Sequence, residues 1–223
     1  MPALLFGSIS TIADTSELQH GAFNDAFRQH GLDWHWEREE YQQLLEKSGG
    51  RQRIADFAAS RGEDVDADAV HRTKSERFQE MLAGVVMTPR PGVVETIAAA
   101  REAGWKVGFV TTTEKKNVEA LLRAIRHKVT EDDFDLITDV TTVGTPKPGG
   151  EIYRYALEQL GVNAAQVITI EDNLGGVQAA REAGVPVVAF PNENTISHDF
   201  GDVECIYSLS FPELAARVAA DAR

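Results

Sequence analysis

Short apolar runs recur along the chain at 3–6, 107–110, 134–137, 167–170 and 185–190, each bounded by polar or turn-forming residues. Runs of this length predict buried strands. Between most of them the apolar positions change spacing to i, i+3 and i+4, which predicts helices over 91–103, 115–125, 151–160 and 174–183. Pro91 opens the first of these, and Gly104, Gly161 and Gly184 stand just past helix ends, where proline and glycine act as start and stop signals. Strands alternating with helices predict a Rossmann-like α/β core, a parallel sheet covered on both faces.

The stretch 16–84 follows another pattern. It holds no strand-like run and reads as helices over 16–29, 37–46, 51–60 and 66–83. An all-helical block placed directly after the first strand predicts an inserted cap domain. The division is therefore 1–15 plus 85–223 for the core and 16–84 for the cap. The joints fall at 12–15 and 84–91, where Gly84, Pro89 and Pro91 punctuate the chain. A hinge at these joints would let the cap open and close.

Composition narrows the class. Of 223 residues, 43% are hydrophobic and 26% charged, as expected for a globular protein. No apolar run approaches the roughly 20 residues that span a bilayer. The N-terminus lacks the basic and long apolar regions of a signal peptide. A cytoplasmic location is the expectation. Cys205 is the only cysteine, so neither an intrachain disulfide framework nor a cysteine-based zinc site is available. The net charge of −13 argues against nucleic acid and anionic membranes as partners, and it also repels phosphorylated ligands at long range. A phosphate site here needs local positive charge or a metal ion.

In open α/β sheets ligands bind beyond the carboxyl ends of the strands, so the chemistry is sought there. Thr111-Thr112-Thr113 follow the second strand and precede a helix, where a hydroxyl caps the helix or binds an anion. Lys147 stands in the Gly/Pro-shaped loop Pro146-Lys147-Pro148-Gly149-Gly150. Glu171-Asp172-Asn173 follow the fourth run, and paired carboxylates at a strand end suit an octahedral Mg²⁺ ion. The residues alone leave plainer readings open. Thr111 could be only a helix cap, and Lys147, Arg51 and Lys74 only solvated charges.

These stretches, in order, resemble the haloacid-dehalogenase superfamily. The likeness is closer still to its CbbY-like and β-phosphoglucomutase-like sugar-phosphatase branch. It is carried by Val110-Thr111-Thr112-Thr113 with Asn117, by Lys147-Pro148 with Glu151-Ile152-Tyr153, and by Ile170-Glu171-Asp172-Asn173 with Gly176. His20-Gly21-Ala22-Phe23-Asn24, Ser48-Gly49-Gly50-Arg51 and Lys74-Ser75-Glu76 extend it into the helical block. The resemblance implies that Thr111 hydrogen-bonds a transferring phosphoryl group and that Lys147 neutralises its charge. It implies that Glu171 and Asp172 lie at a Mg²⁺ site, with Asp172 the direct ligand. Thr112, Asn117, Gly50, Arg51 and Lys74 would meet a small phosphorylated sugar.

The first motif departs from the family. Where relatives carry Phe-Asp-x-Asp-Gly-Thr, this chain has Phe6-Gly7-Ser8-Ile9-Ser10-Thr11. Gly7 replaces the aspartate nucleophile and Ile9 replaces the acid/base. On an extended strand Ser8 points opposite to residue 7, and Ser10 and Thr11 have no evident base beside them. A Mg²⁺ site would be weakened by the missing carboxylate. Three readings follow: a silent phosphatase-like protein that still binds phosphate or sugar phosphate, a Mg-dependent phosphatase with an altered mechanism, and an interaction subunit whose protein partner the sequence does not name. Dehalogenation needs the same missing nucleophile, and no G-x-G-x-x-G follows the first strand to bind a dinucleotide.

Overall fold

A computed structural model of the protein describes residues 1–221. Five strands, β1 (Ala3–Phe6), β2 (Lys106–Phe109), β3 (Leu136–Ile137), β4 (Val167–Glu171) and β5 (Val187–Ala189), form one parallel sheet in the order β3-β2-β1-β4-β5. β1 is central and buried along its whole length. Its side chains alternate between two apolar layers. Leu4 and Phe6 pack with α6 (Val93–Glu102), α7 (Lys115–Ile125) and α10 (Phe211–Asp221). Ala3 and Leu5 pack with α8 (Glu151–Leu160) and α9 (Leu174–Glu182). The predicted α/β core is thus present, with all strands parallel.

Two predicted strands are shorter than the apolar runs suggest. The run 134–137 yields only β3, because the Phe134 amide closes a turn onto Glu131 and the Asp135 carboxylate accepts from the Val107 amide at 2.8 Å. The run 185–190 yields only Val187–Ala189, since the Val185 amide ends the preceding helix by donating to Ala180. Two helices were not predicted. α1 (Ile9–Ile12) is a single turn, too short to show a period. α10 carries its apolar stripe on Phe211, Leu214 and Val218, a signal the pattern does contain.

The stretch after α1 is helical as predicted: α2 (Ser16–Gln29), α3 (Arg38–Leu44), α4 (Gly50–Arg61) and α5 (Ala67–Ala83). It has an aromatic cluster of its own. Trp36 is fully buried between Phe27, at 4.6 Å edge-on, and Phe23, at 5.0 Å. The Asn24 side chain pins it by accepting from the Trp36 amide at 2.9 Å and donating to its carbonyl at 3.0 Å. The base of the block is not separate, because Ala22, Phe78 and Leu82 join the sheet's own core. At its outer edge the contacts to the sheet loops are polar. Arg38 reaches Glu193 at 3.0 Å and Asn194 at 3.2 Å, Ser75 donates to Glu114 at 2.9 Å, and Gln79 donates to Asn117 at 2.8 Å. Apolar packing at one end and polar pairs at the other, part-buried apart from Arg38–Glu193, hold the block over the carboxyl ends of the strands.

Candidate functional site

β1 and β4 are neighbours whose chain connections run to opposite sides, the switch point where open sheets bind ligands. Their register pairs Phe6 with Ile170. The Gly7 amide donates to the Ile170 carbonyl at 2.9 Å, which carries that register one step further. Gly7 therefore lies beside Glu171, and Ser8 beside Asp172. In a parallel pair, residues at the same level point the same way. Ser8 points opposite to residue 7, as expected of an extended strand, and this aims it at the cavity: Ser8 Oγ donates to Asp172 Oδ1 at 2.6 Å, and both residues line the cavity. Ser10 and Thr11 are engaged elsewhere, with Thr15 Oγ1 at 2.8 Å and the Ser8 carbonyl at 2.7 Å.

Gly7 has let its neighbours close in. A Cβ at position 7 would overlap the Glu171 carboxylate and the Tyr153 hydroxyl, and one at Gly176 would overlap the same carboxylate from the other side. Glu171 is fully buried. Its Oε1 accepts from Lys147 Nζ at 2.7 Å and from the Tyr153 hydroxyl, while Oε2 has no partner. Lys147, with its side chain 9% exposed, also donates to the carbonyls of Val110, at 2.8 Å, and Gly7. Burial pushes the Lys147 pKa down and the Glu171 pKa up, and each is opposed by the other's charge. Burial, with the Glu171 charge, drives Tyr153 well above its usual value. The space beside Gly7 is thus filled by an ion pair and a phenol.

The cavity above this floor has a volume of about 590 Å³. Its roof carries two buried basic side chains, and among the described residues no carboxylate is hydrogen-bonded to either. Arg53, 8% exposed, donates to the carbonyls of Leu44 at 2.8 Å and Lys47 at 2.9 Å and lies over the Phe23 and Tyr41 rings. Lys74, 5% exposed, donates to Gln19 Oε1 at 3.0 Å and sits 4.8 Å from the Phe23 ring centre. Burial and then the Arg53 charge bring Lys74 down to about 7, with Glu114 opposing. Burial and Lys74 bring His71 down to about 4, so it is neutral at pH 7.

Ten of the eleven positions singled out from the sequence line this one cavity: Gly7, Ile9, Gly50, Arg51, Lys74, Thr111, Thr112, Asn117, Lys147 and Asp172. Glu171 does not, being sealed beneath the floor. Several of the ten are already engaged. Thr111 Oγ1 accepts from the Thr113 amide at 3.2 Å, Thr112 Oγ1 from the Lys147 amide at 3.4 Å, and Asn117 from Gln79. Arg51 stands at the exposed rim, forked onto Asp68. Arg53 and Asn192 were missed, and Ser8 was weighed only as a replacement for the residue at 7. Arg53 lies one helical turn from Gly50 on α4, a spacing that places both on one face. Asn192 follows β5, a strand end like the others, and deserved the same search.

The donor set does not fit a resident Mg²⁺ ion. Such an ion needs near-octahedral oxygen ligands and takes one or two carboxylates with free lone pairs. Glu171 is turned to Lys147 and Tyr153 and has no face on the cavity. Asp172, 4% exposed, accepts from Ser8 and from Asn173 Nδ2 (2.6 Å) at Oδ1, and from Asn192 Nδ2 (2.7 Å) at Oδ2. Among the described residues no group of three or more His, Cys, Asp or Glu side chains is placed to hold a metal.

A parallel five-stranded sheet with a helical block inserted after its first strand, a lysine loop and an acidic strand end together define a hydrolase class. The model of the haloacid dehalogenase-like hydrolase family matches residues 10–190, and the chain belongs to that family. Within it the chain is similar to CbbY proteins. It is 37% identical to Protein CbbY of Cereibacter sphaeroides, over 98% of this chain and 96% of that one. It is 37% identical to the plasmid CbbY of Cupriavidus necator, over 90% and 82%. Among solved structures, CbbY from Rhodobacter sphaeroides, in a mutant form with xylulose-(1,5)bisphosphate, superposes with a TM-score of 0.85 at 37% identity, covering 98% of this chain and 99% of that one. A β-phosphoglucomutase from Clostridium difficile, at 18% identity and a TM-score of 0.78 over 99% and 98% of the two chains, shares the fold.

Proposed function

We propose that this CbbY-type protein binds a small phosphorylated sugar in its cleft and does not carry out the covalent phosphoryl transfer of its family. Residues 16–84 act as the cap and the rest as the core. The observation that carries the reading is at position 7. Covalent transfer needs a nucleophile there, and the space is filled by Glu171, Lys147 and Tyr153 around a glycine. Ile9 has no proton to move. What the cleft retains is recognition. Arg53 and Lys74 supply positive charge inside a protein of net charge −13, and Thr111, Thr112 and Lys147 border the opposite wall. The complex of R. sphaeroides CbbY with xylulose-(1,5)bisphosphate supports a ketose bisphosphate as the first ligand to try. No described helix is long and apolar enough to cross a membrane, and a cytoplasmic location belongs to this proposal. Nucleic acid and membranes are not part of it.

One observation favours turnover by an altered route. Ser8 Oγ is a hydroxyl bonded to a carboxylate within the cavity. Against it, the Asp172 carboxylate is already engaged by Asn173 and Asn192 as well as by Ser8. The deciding test is phosphate release from a panel of sugar mono- and bisphosphates, with Mg²⁺ and with chelator, beside Lys147→Ala. Titration calorimetry with xylulose-1,5-bisphosphate runs in parallel. Binding without release is the expected result. Release that is lost in Lys147→Ala would overturn it.

A further inference from the structure

We infer that anion binding in this cleft needs no divalent cation, because Ser8, Asn173 and Asn192 hold the Asp172 carboxylate as an ion would hold it elsewhere. The inference rests on the binding role proposed above and specifies its chemistry. A carboxylate at the floor of a phosphate site is a repulsive charge unless something compensates it. Here three donors do so. Ser8 Oγ and Asn173 Nδ2 reach Oδ1, each at 2.6 Å, and Asn192 Nδ2 reaches Oδ2 at 2.7 Å. They come from the ends of three different strands, so no single loop movement releases them all. Asn192 is itself held, since its Oδ1 accepts from the Asn194 amide at 2.9 Å. Thr195 Oγ1 donates to the Asp172 carbonyl at 2.6 Å, which fixes the backbone of the same residue.

Two further oxygens at the floor are also taken. The Gly7 carbonyl accepts from the Lys147 ammonium, and Glu171 is paired with the same ammonium beneath the floor. A divalent ion entering here would displace hydrogen bonds from Asp172, approach a buried ammonium, and find one carboxylate. That is a poor exchange for an ion that dehydrates reluctantly. The ligand's charge is met instead by Arg53 and Lys74 on the roof, neither of which needs a metal to act.

The test uses the full chain and inorganic phosphate, titrated calorimetrically in excess Mg²⁺ and in EDTA, with melting curves in both. The expected dissociation constants agree within about twofold, and Mg²⁺ alone does not raise the melting temperature, because a ligand stabilises only what it binds. Phosphate binding that appears only with Mg²⁺ would overturn the inference and leave the binding role standing. No phosphate or sugar-bisphosphate binding in either buffer would remove the binding role itself. Ser8→Ala and Asn192→Ala supply the second measurement. Each uncovers part of the Asp172 charge and should weaken phosphate in EDTA by about tenfold, the scale of one lost hydrogen bond to a buried charge. A folded variant that binds as tightly as the parent would show that these donors do not stand in for a cation.

Discussion

Ser8 Oγ lies 2.6 Å from Asp172 Oδ1, and the two residues are 164 positions apart in the chain. Parallel pairing of β1 with β4 brings them together. The same register sets Gly7 beside Glu171, so one strand pair determines both the neighbours of Gly7 and the partners of the two acidic residues. Several measurable consequences follow from this arrangement.

Gly7→Asp alone should not restore phosphate release. Its Cβ would overlap the Glu171 carboxylate and the Tyr153 hydroxyl, and the added carboxylate would be buried beside a second one. Overpacking of this kind costs about 1–3 kcal/mol. Urea denaturation should therefore show a lower midpoint for the variant. An unchanged midpoint would mean that Glu171 moves aside freely and that the closed floor is not a barrier.

Removing one member of the Lys147–Glu171 pair should cost more than removing both. Lys147→Met leaves a buried carboxylate without its cation, an effect of about 3–5 kcal/mol. Lys147→Met combined with Glu171→Gln should recover most of that loss. If the double variant is as unstable as the single one, packing around the lysine stem matters more than its charge.

Lys74 should make stability depend on pH in a stated direction. Its folded pKa of about 7 lies below the ordinary lysine value of 10.5, so between these values the unfolded chain holds a proton that the folded chain has released. Stability from this group therefore rises with pH through that window, and the penalty is fully present below about 7. Lys74→Met removes the penalty. The variant should be more stable than the parent near pH 6, and the difference should shrink toward pH 10 or so. A difference that stays constant with pH would show that Lys74 is solvated. In the parent, a bound phosphate should raise the Lys74 pKa, so anion affinity should fall as pH rises past 7.

Arg38 ties α3 to the 193–194 turn and to Glu17, at 3.3 Å, with its own side chain half exposed. Pairs this exposed contribute about 0–1 kcal/mol. Arg38→Ala should leave the melting temperature nearly unchanged. It should speed amide exchange at 38–44 and at 192–195, and raise the ligand off-rate, since these contacts hold only the closed edge of the cleft. Exchange rates equal to the parent's would assign the closure to the apolar base at Phe78 and Leu82 instead.

Much of the architecture was legible in the pattern of residues. The four inserted helices and the strand-helix alternation are local signals, spread over enough residues to show a period. α1 was not legible, because four residues contain no repeat. The length of β3 was not legible either, since Phe134 is apolar yet closes a turn. At the site, the strand ends and the family resemblance together pointed to ten positions that share one cavity. Residue type also misled at Glu171: a carboxylate beside Asp172 reads as a metal ligand until its lysine and tyrosine partners are seen.

Taken alone, the amino-acid sequence determined the α/β class, the inserted helices and the order of the motifs, and it placed Gly7 and Ile9 where the family resemblance implies aspartates. These are properties of single residues or of periods within one element. Only the tertiary structure decided that Ser8 faces the cavity, what fills the space beside Gly7, and that Arg53 and Lys74 stand buried with, among the described residues, no carboxylate hydrogen-bonded to them. Those facts depend on strand register and on burial. Both are set by contacts between residues far apart in the chain, which no local pattern records.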